Sequence, residues 1–254
     1  MGVPGLYPWI SEIYKDAILK FNFDNSGERS EKNKDIFYSN LLNFTGGIID
    51  ALYIDGNAII HPIMQFVFNY GEKKRAIEPY ADLSYKEKID KSFELFFEAI
   101  VKIIDMTQPD KIIYLAIDGP APLAKMAQQR QRRFVSSATL IDNKKPYMYE
   151  IKNGNEERSD TEDKFDPTSI TPGTEFMYSL FKFLRYKIRL YLNQFAKPNL
   201  KFILSPSTNP GEGEHKILDY IRSIANDNTI KNHVFFGPDG DLIMLTLSAA
   251  KIIK

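Results

Sequence analysis

Lys111-Ile-Ile-Tyr-Leu-Ala-Ile-Asp118 is a run of branched and aromatic apolar residues closed by a carboxylate. A run so short, without polar alternation, suits a strand buried on both faces. The same shape recurs along the chain. Ala51-Leu-Tyr-Ile runs into Asp55, and His233-Val-Phe-Phe-Gly-Pro runs into Asp239, with Asp241 two residues on. A fourth run, Lys201-Phe-Ile-Leu, opens into a polar loop that reaches Glu212. Between these runs lie stretches with helical spacing. Residues 86–106 carry Ile89, Phe93, Phe96, Phe97, Ile100, Ile103 and Ile104. Residues 174–195 behave likewise, as do residues 214–225 through Ile217, Leu218, Ile221 and Ile224. Strands alternating with helices imply right-handed crossovers, hence an α/β fold whose central, mainly parallel sheet is flanked by helices. Residues 22–40 and 142–166 are polar, the second notably acidic from Glu156 to Asp166, and read as solvated loops.

The bulk composition narrows the classes. The 254 residues suffice for a substantial core, and 43% hydrophobic with 26% charged residues is ordinary for a globular protein. With no cysteine, disulfides, thiolate metal sites and cysteine nucleophiles are excluded. Lysine plus arginine equals aspartate plus glutamate at 33 each, which argues against a protein that coats nucleic acid non-specifically. The start, Met1-Gly-Val-Pro-Gly-Leu-Tyr-Pro-Trp9, lacks the basic and long apolar regions of a signal peptide, and no run approaches bilayer length. The expectation is a soluble protein without a membrane partner, cytoplasmic or alternatively nuclear.

The acids carry the chemistry. Ligands of open α/β sheets bind beyond the carboxyl ends of the strands, where Asp55, Asp118, Asp239 and Asp241 would stand. The loop Asn209-Pro-Gly-Glu-Gly-Glu-His215 brings Glu212 and Glu214 to the same edge, and alternate spacing lets both carboxylates point one way. A single Asp at a strand end is usually a helix cap or turn residue. Six acids at equivalent positions are harder to explain so. Carboxylates this close need a countercharge, and an all-oxygen set suits Mg²⁺ or Mn²⁺. Two such ions would activate a water and stabilise the leaving oxygen of a phosphodiester. His215 reads as packing or capping beside the site rather than ligating.

From Leu123 the chain reads as a helix on which Lys125, Gln129, Arg132 and Arg133 recur at spacings of three and four. Such a face is often merely solvated, but here it follows a strand that ends in Asp118. Its ammonium, amide and guanidinium groups suit a phosphate. In Asp55-Gly-Asn57-Ala-Ile-Ile-His61, a helix starting near Asn57 sets His61 one to two turns beyond Asp55. There it either stacks on a nucleobase or is a satisfied, partly buried histidine.

Taken together, these segments resemble the N-terminal catalytic region of the XRN-type 5′→3′ exoribonucleases, relatives of the flap-endonuclease superfamily with a PIN-like core. The resemblance is carried by Met1-Gly-Val-Pro, Asp55-x-Asn57-x-Ile-Ile-His61, Ala116-Ile-Asp-Gly119 and Ala121-Pro-x-Ala-Lys-Met-x-Gln-Gln-Arg130-x-Arg-Arg-Phe134. It continues through Ile170-Thr-Pro-Gly-Thr-Glu-Phe-Met177, Pro210-Gly-Glu-Gly-Glu-His-Lys216 and Asp239-x-Asp-Leu-Ile-Met-Leu245. It implies that Asp55, Asp118, Glu212, Glu214, Asp239 and Asp241 are the metal-binding, catalytic acids. It implies that Lys125, Gln129, Arg132 and Arg133 form a 5′-monophosphate pocket and that His61 stacks on a base. The implied substrate is single-stranded RNA with a 5′-monophosphate, degraded processively to mononucleotides.

The chain departs from the family pattern at Gly56, Ala58, Pro238 and Gly240, where the family usually carries Met, Gly, Leu and Ala. These neighbours set backbone shape rather than chemistry. The family's seventh metal-binding aspartate and its second shared region, with a stacking tryptophan, have no counterpart. The expectation is one nuclease domain over residues 1–254, incomplete at its C-terminus, with a downstream region or partner completing the site. Two other readings stay open: a flap-endonuclease-type DNA nuclease, against which the Lys125–Phe134 run argues, and a catalytically impaired RNA-binding relative.

Overall fold

The computed structural model describes residues 5–18, 31–123, 125–127, 130–131, 165–195 and 197–251, with residues 31–36 and Asp241 described by their backbone alone. The four apolar runs form strands β1 (Ala51–Asp55), β2 (Ile112–Ala116), β3 (Lys201–Ser205) and β4 (His233–Phe236). They join in one parallel sheet of order β3-β2-β1-β4. Asp55 lies level with Ala116, and Ala116 with Ser205, so the sheet ends evenly at its carboxyl edge.

Period-two alternation splits each inner strand between two cores. Leu52, Ile54, Ile113 and Leu115 face one side; Ala51, Tyr53, Ile112, Tyr114 and Ala116 face the other. On the first side pack α3 (Asn57–Val67), α4 (Tyr85–Thr107) and α5 (Glu175–Phe195). On the second pack α6 (Gly213–Ile224) and α7 (Asp241–Ala250). Burial of both faces explains why β1 and β2 are apolar throughout.

The distribution of helices follows from strand order. The chain steps from β1 to β2 to β3 in one direction, then returns past β1 to β4. Right-handed crossovers place the outgoing helices on one face and the returning helix on the other. Between β1 and β4 the following helices therefore diverge, α3 to one face and α7 to the other. In open α/β sheets, ligands bind at the carboxyl edge beside such a switch point.

The expected helices appear with bounds shifted by a residue or two. α4 is fixed at its start by a capping box, in which the Ser84 hydroxyl oxygen accepts the Glu87 N–H and the Glu87 carboxylate accepts the Ser84 N–H at 2.9 Å. The loop reading of residues 22–40 is corrected. α1 (Leu6–Ile13) is followed by α2, a helix over Glu31–Thr45 that packs on α4. The charged opening of α2, Glu31-Lys-Asn-Lys-Asp35, hides a helical set that begins only at Phe37 and continues through Leu41 and Leu42. The solvated reading of 142–166 fails at its end, because Phe165 is buried against Phe68 and Phe176. Residues 142–164 lie outside the described set, as do 22–30.

Phe96 on α4 is fully buried, whereas Ile77 is 84% exposed. Phe96→Ala should cost about 3–5 kcal/mol in urea unfolding, and Ile77→Ala within about 0.5 kcal/mol. Equal effects would contradict this packing.

Candidate metal and nucleic-acid site

Three backbone-to-side-chain hydrogen bonds tie the carboxyl edge together. An Asp55 carboxylate oxygen accepts the Asn57 N–H at 3.0 Å, capping the start of α3. The Asn57 side-chain oxygen accepts the Asp118 N–H at 2.9 Å. An Asp118 carboxylate oxygen in turn accepts the Gly213 N–H at 2.6 Å. The ends of β1 and β2 and the first turn of α6 are thus locked to one another. Asn57, quoted in the sequence only as a motif member, proves to be the central strut.

Two glycines make the contact sterically possible. A Cβ on Gly213 would stand 3.1 Å from the Asp55 carboxylate and 3.3 Å from that of Asp118, tighter than ordinary contacts. A Cβ on Gly119 would fall 1.7 Å from the Asn209 carbonyl oxygen, which is impossible. With glycine there, the Gly119 N–H donates to the Gly211 carbonyl and the Gly211 N–H to the Pro120 carbonyl, both at 2.9 Å. This pairing draws the Pro210–Glu214 loop onto Asp118.

The loop delivers Glu212 just before α6 and Glu214 within its first turn. One carboxylate oxygen of each, together with His215 Nδ1 or Nε2, lies within 4.8 Å of the others. His215 stands beside the site with its side chain 59% exposed and its Nδ1 4.0 Å from Glu212 and 3.8 Å from Glu214. The Lys125 ammonium forms an ion pair with the Glu212 carboxylate at 3.2 Å. Leu123, residues 125–127 and residues 130–131 are helical, as expected. Gln129, Arg132 and Arg133 lie outside the described residues. Asp239 ends the loop after β4 and Asp241 opens α7, described by its backbone only.

The electrostatics show how crowded the edge is. Burial, then the neighbouring Asp118, then Glu214, push the Asp55 carboxyl up to about 7. Burial also raises Asp118, with Glu212 adding to it against the Gly213 N–H. Glu214 is raised by burial, then by Glu212, Asp239 and Asp118. Asp55, Asp118 and Glu214 thus each feel at least one other acid of the set. His61 is half-buried in α3, its pKa lowered by burial against the pull of Asp118, so it stands beside the acids.

One cation is built in. Lys216 is 6% exposed and donates to the Ile117 carbonyl at 2.7 Å and the Pro206 carbonyl at 2.8 Å. Burial lowers its pKa to about 8, opposed by Asp118. It braces the ends of β2 and β3, and its burial is the signal that sequence alone does not carry. Among the described residues, the Lys216 and Lys125 ammoniums are outnumbered by the surrounding carboxylates. Oxygen donors raised by burial and mutual repulsion are the donor set a hard divalent cation stabilises, so the residues fit one.

The sign of the pH response follows. Asp55 binds its proton more tightly folded (about 7) than unfolded (3.8). Its contribution therefore favours the metal-free fold at low pH and is lost as pH rises toward 7. A divalent cation requires the deprotonated form and reverses this trend. The Mg²⁺-induced gain in Tm should be larger at about pH 8 than at about pH 5.5. Comparing Mg²⁺ with EDTA at each pH cancels carboxylates such as Asp50, which Lys111 holds low against the cost of its own burial. An equal gain at both values would contradict the site.

The profile described as "XRN 5'-3' exonuclease N-terminus" matches residues 1–252. A 5'-3' exoribonuclease 2 of Gallus gallus is 37% identical over 98% of this chain and 26% of its own length. The 5'-3' exoribonuclease 2 homolog of Drosophila melanogaster is 35% identical over 98% of this chain and 27% of its own. That of Arabidopsis thaliana is 36% identical over 99% and 24%. The chain spans about a quarter of the length of these relatives. Since the match runs through all four strands and the loops that carry the clustered acids, the chain belongs to the XRN 5′-3′ exonuclease family by its N-terminal region.

Proposed function

We propose that this chain is the nuclease domain of a 5′→3′ exoribonuclease that acts on single-stranded RNA bearing a 5′-monophosphate. The observation that carries this reading is the convergence of Asp55, Asp118, Glu212, Glu214 and Asp239 at one sheet edge, locked through Asn57 and Gly213. Asp241, at the start of α7, belongs to the same proposed set.

These carboxylates would hold two Mg²⁺ or Mn²⁺ ions. Bound there, the ions supply a nucleophile at neutral pH and charge stabilisation for the leaving oxygen. The protein's own part is geometric. Asn57 and Gly213 fix the Asp118 backbone and carboxylate, so the site is formed before substrate arrives. Lys125, on the helix proposed to receive the terminal phosphate and next to Glu212, would link that helix to the acids. Arg132, Arg133 and Gln129 would complete that receptor, and His61, beside Asp118, would stack on a base.

End-labelled RNA in Mg²⁺ tests the reading. These 254 residues alone should bind 5′-monophosphorylated RNA and cleave it slowly; with the downstream region supplied on the same chain or as a partner, they should release mononucleotides and stop in EDTA. Asp118→Asn should lower the rate more than about 100-fold, and Asn57→Ala about 10–100-fold, as for an outer-shell residue. Internal or flap-specific cleavage of DNA in place of RNA would favour the flap-endonuclease alternative. Binding of RNA without turnover in any divalent cation would favour the impaired relative.

End selection is a separate expectation. Losing a charge-assisted hydrogen bond to phosphate, Lys125→Ala should reduce the preference for 5′-monophosphate over 5′-hydroxyl RNA by about tenfold or more. An unchanged preference would remove Lys125 from the phosphate pocket.

A further inference from the structure

The chain as a whole balances its charges, but α5 does not. Its sequence, Glu-Phe-Met-Tyr-Ser-Leu-Phe-Lys-Phe-Leu-Arg-Tyr-Lys-Ile-Arg-Leu-Tyr-Leu-Asn-Gln-Phe, holds Lys182, Arg185, Lys187 and Arg189 against the single acid Glu175. Glu175 sits in the first turn, where the helix dipole favours it, and cannot neutralise cations further along. The neighbouring α4 shows the ordinary alternative: its lysines are interleaved with Glu87, Asp90, Glu94, Glu98 and Asp105. One cation of α5 is accounted for, because Lys187 pairs with Glu94 at 2.7 Å. Among the described residues no carboxylate pairs with Lys182, Arg185 or Arg189.

These three recur at spacings of three and four, and so share the outward face of the helix. All three are exposed, as are Tyr178 and Tyr186, at 51% and 62%. Lys182, Arg185, Tyr186 and Arg189 line a shallow groove of about 220 Å³. Lys182 lies over the Tyr178 ring at 4.2 Å, which carries the track one turn further toward the start of the helix. From Lys182 to Arg189 the cations extend about 10.5 Å along the axis.

The position of α5 relates this face to the acidic edge. Its inner face, through Met177, Leu180 and Leu184, shares a core with Ile117 and Leu204 and lines a small cavity with them, Pro206 and Ser207. Ile117 precedes Asp118, and Pro206 and Ser207 open the loop that reaches Glu212. The helix that carries the basic and aromatic stripe thus shares a cavity with the residues that lead into Asp118 and toward Glu212.

We propose that this face is an auxiliary track for the phosphodiester backbone of single-stranded RNA whose 5′ end occupies the acidic site, an inference that rests on the ribonuclease reading above. Phosphates meet the three cations, and the exposed ring of Tyr186 offers a stacking surface that accepts any base. Interleaved aromatic and cationic side chains suit RNA better than an acidic protein, which needs the cations but not the rings. The contact is indifferent to sequence, as an enzyme that advances along its substrate requires. Only RNA long enough to leave the site reaches it.

Anisotropy binding in the cleavage-deficient Asp118→Asn background tests this with 5′-phosphorylated RNAs of roughly 4 and roughly 20 nucleotides, across a salt series. Each phosphate neutralised on a single strand contributes about 0.7 to the slope of log K against log salt. Replacing Lys182, Arg185 and Arg189 together with Gln, which keeps the helix, should lower the slope for the long RNA by about 2. Raising salt from about 50 to about 200 mM would then weaken the unreplaced face about sixteenfold more than the replaced one. The short RNA should bind both proteins alike. An unchanged slope for long RNA, or an equal loss for both lengths, would overturn the track while leaving the acidic site in place. Binding of an acidic peptide that the triple replacement abolishes, with RNA unaffected, would assign the face to protein and overturn it too. Failure of both proteins to bind RNA of either length would remove the ribonuclease reading and the track with it.

Discussion

The fold depends on keeping several carboxylates close together at the end of a buried sheet. Burial and mutual repulsion both oppose their ionisation, as the raised pKa of Asp55, Asp118 and Glu214 shows. Nothing in hydrophobic packing favours such an arrangement, so it must be held by directional bonds. The relay from Asp55 to the Asn57 N–H, from Asn57 to the Asp118 N–H and from Asp118 to the Gly213 N–H supplies them. Each bond joins an acid or its strut to a backbone donor, so each also satisfies a group left unpaired at a strand or helix end.

The relay also explains why α6 begins where it does. The positive end of a helix is a favourable neighbour for anions, and α6 starts with Glu212 and Glu214 around Gly213, against Asp55 and Asp118. Lys216 adds a full charge from within the same turn while bridging the carbonyls of Ile117 and Pro206. Partial compensation of this kind lets the protein fold with the acids in place, yet leaves residual negative charge for an added cation. A site fully neutralised by its own lysines would bind no metal.

Much of this was legible in the residues. The strands were visible because both faces of β1 and β2 are buried, which makes their apolar runs continuous. The acids were visible because each terminates such a run or sits in the glycine-rich loop of residues 209–215. Asn57 and Lys216 were not, because an amide and a lysine gain their roles from partners distant in sequence: Asp118 for one, Ile117 and Pro206 for the other. α2 is hidden in the sequence because its first turn, residues 31–34, carries no apolar residue and its packing partner is the distant α4. Phe165 was obscured by the acidic stretch before it, although its ring joins Phe68, Tyr70 and Phe176.

The same physics separates the two charged regions of the molecule. At the sheet edge, charge of one sign is concentrated, buried and tied by short bonds, which suits a small ion that must be held in fixed geometry. Along α5 the opposite sign is spread over two turns, and apart from Lys187 it is exposed and paired with no carboxylate among the described residues, which suits the long polyanion proposed for it. A net charge of zero over the chain conceals this division, since the surplus on each side cancels in the sum. On the proposed track, a polyanion drawn along α5 would approach the acids with part of its charge already neutralised. Divalent cations held by the acids would then offset the remaining repulsion between phosphate and carboxylates.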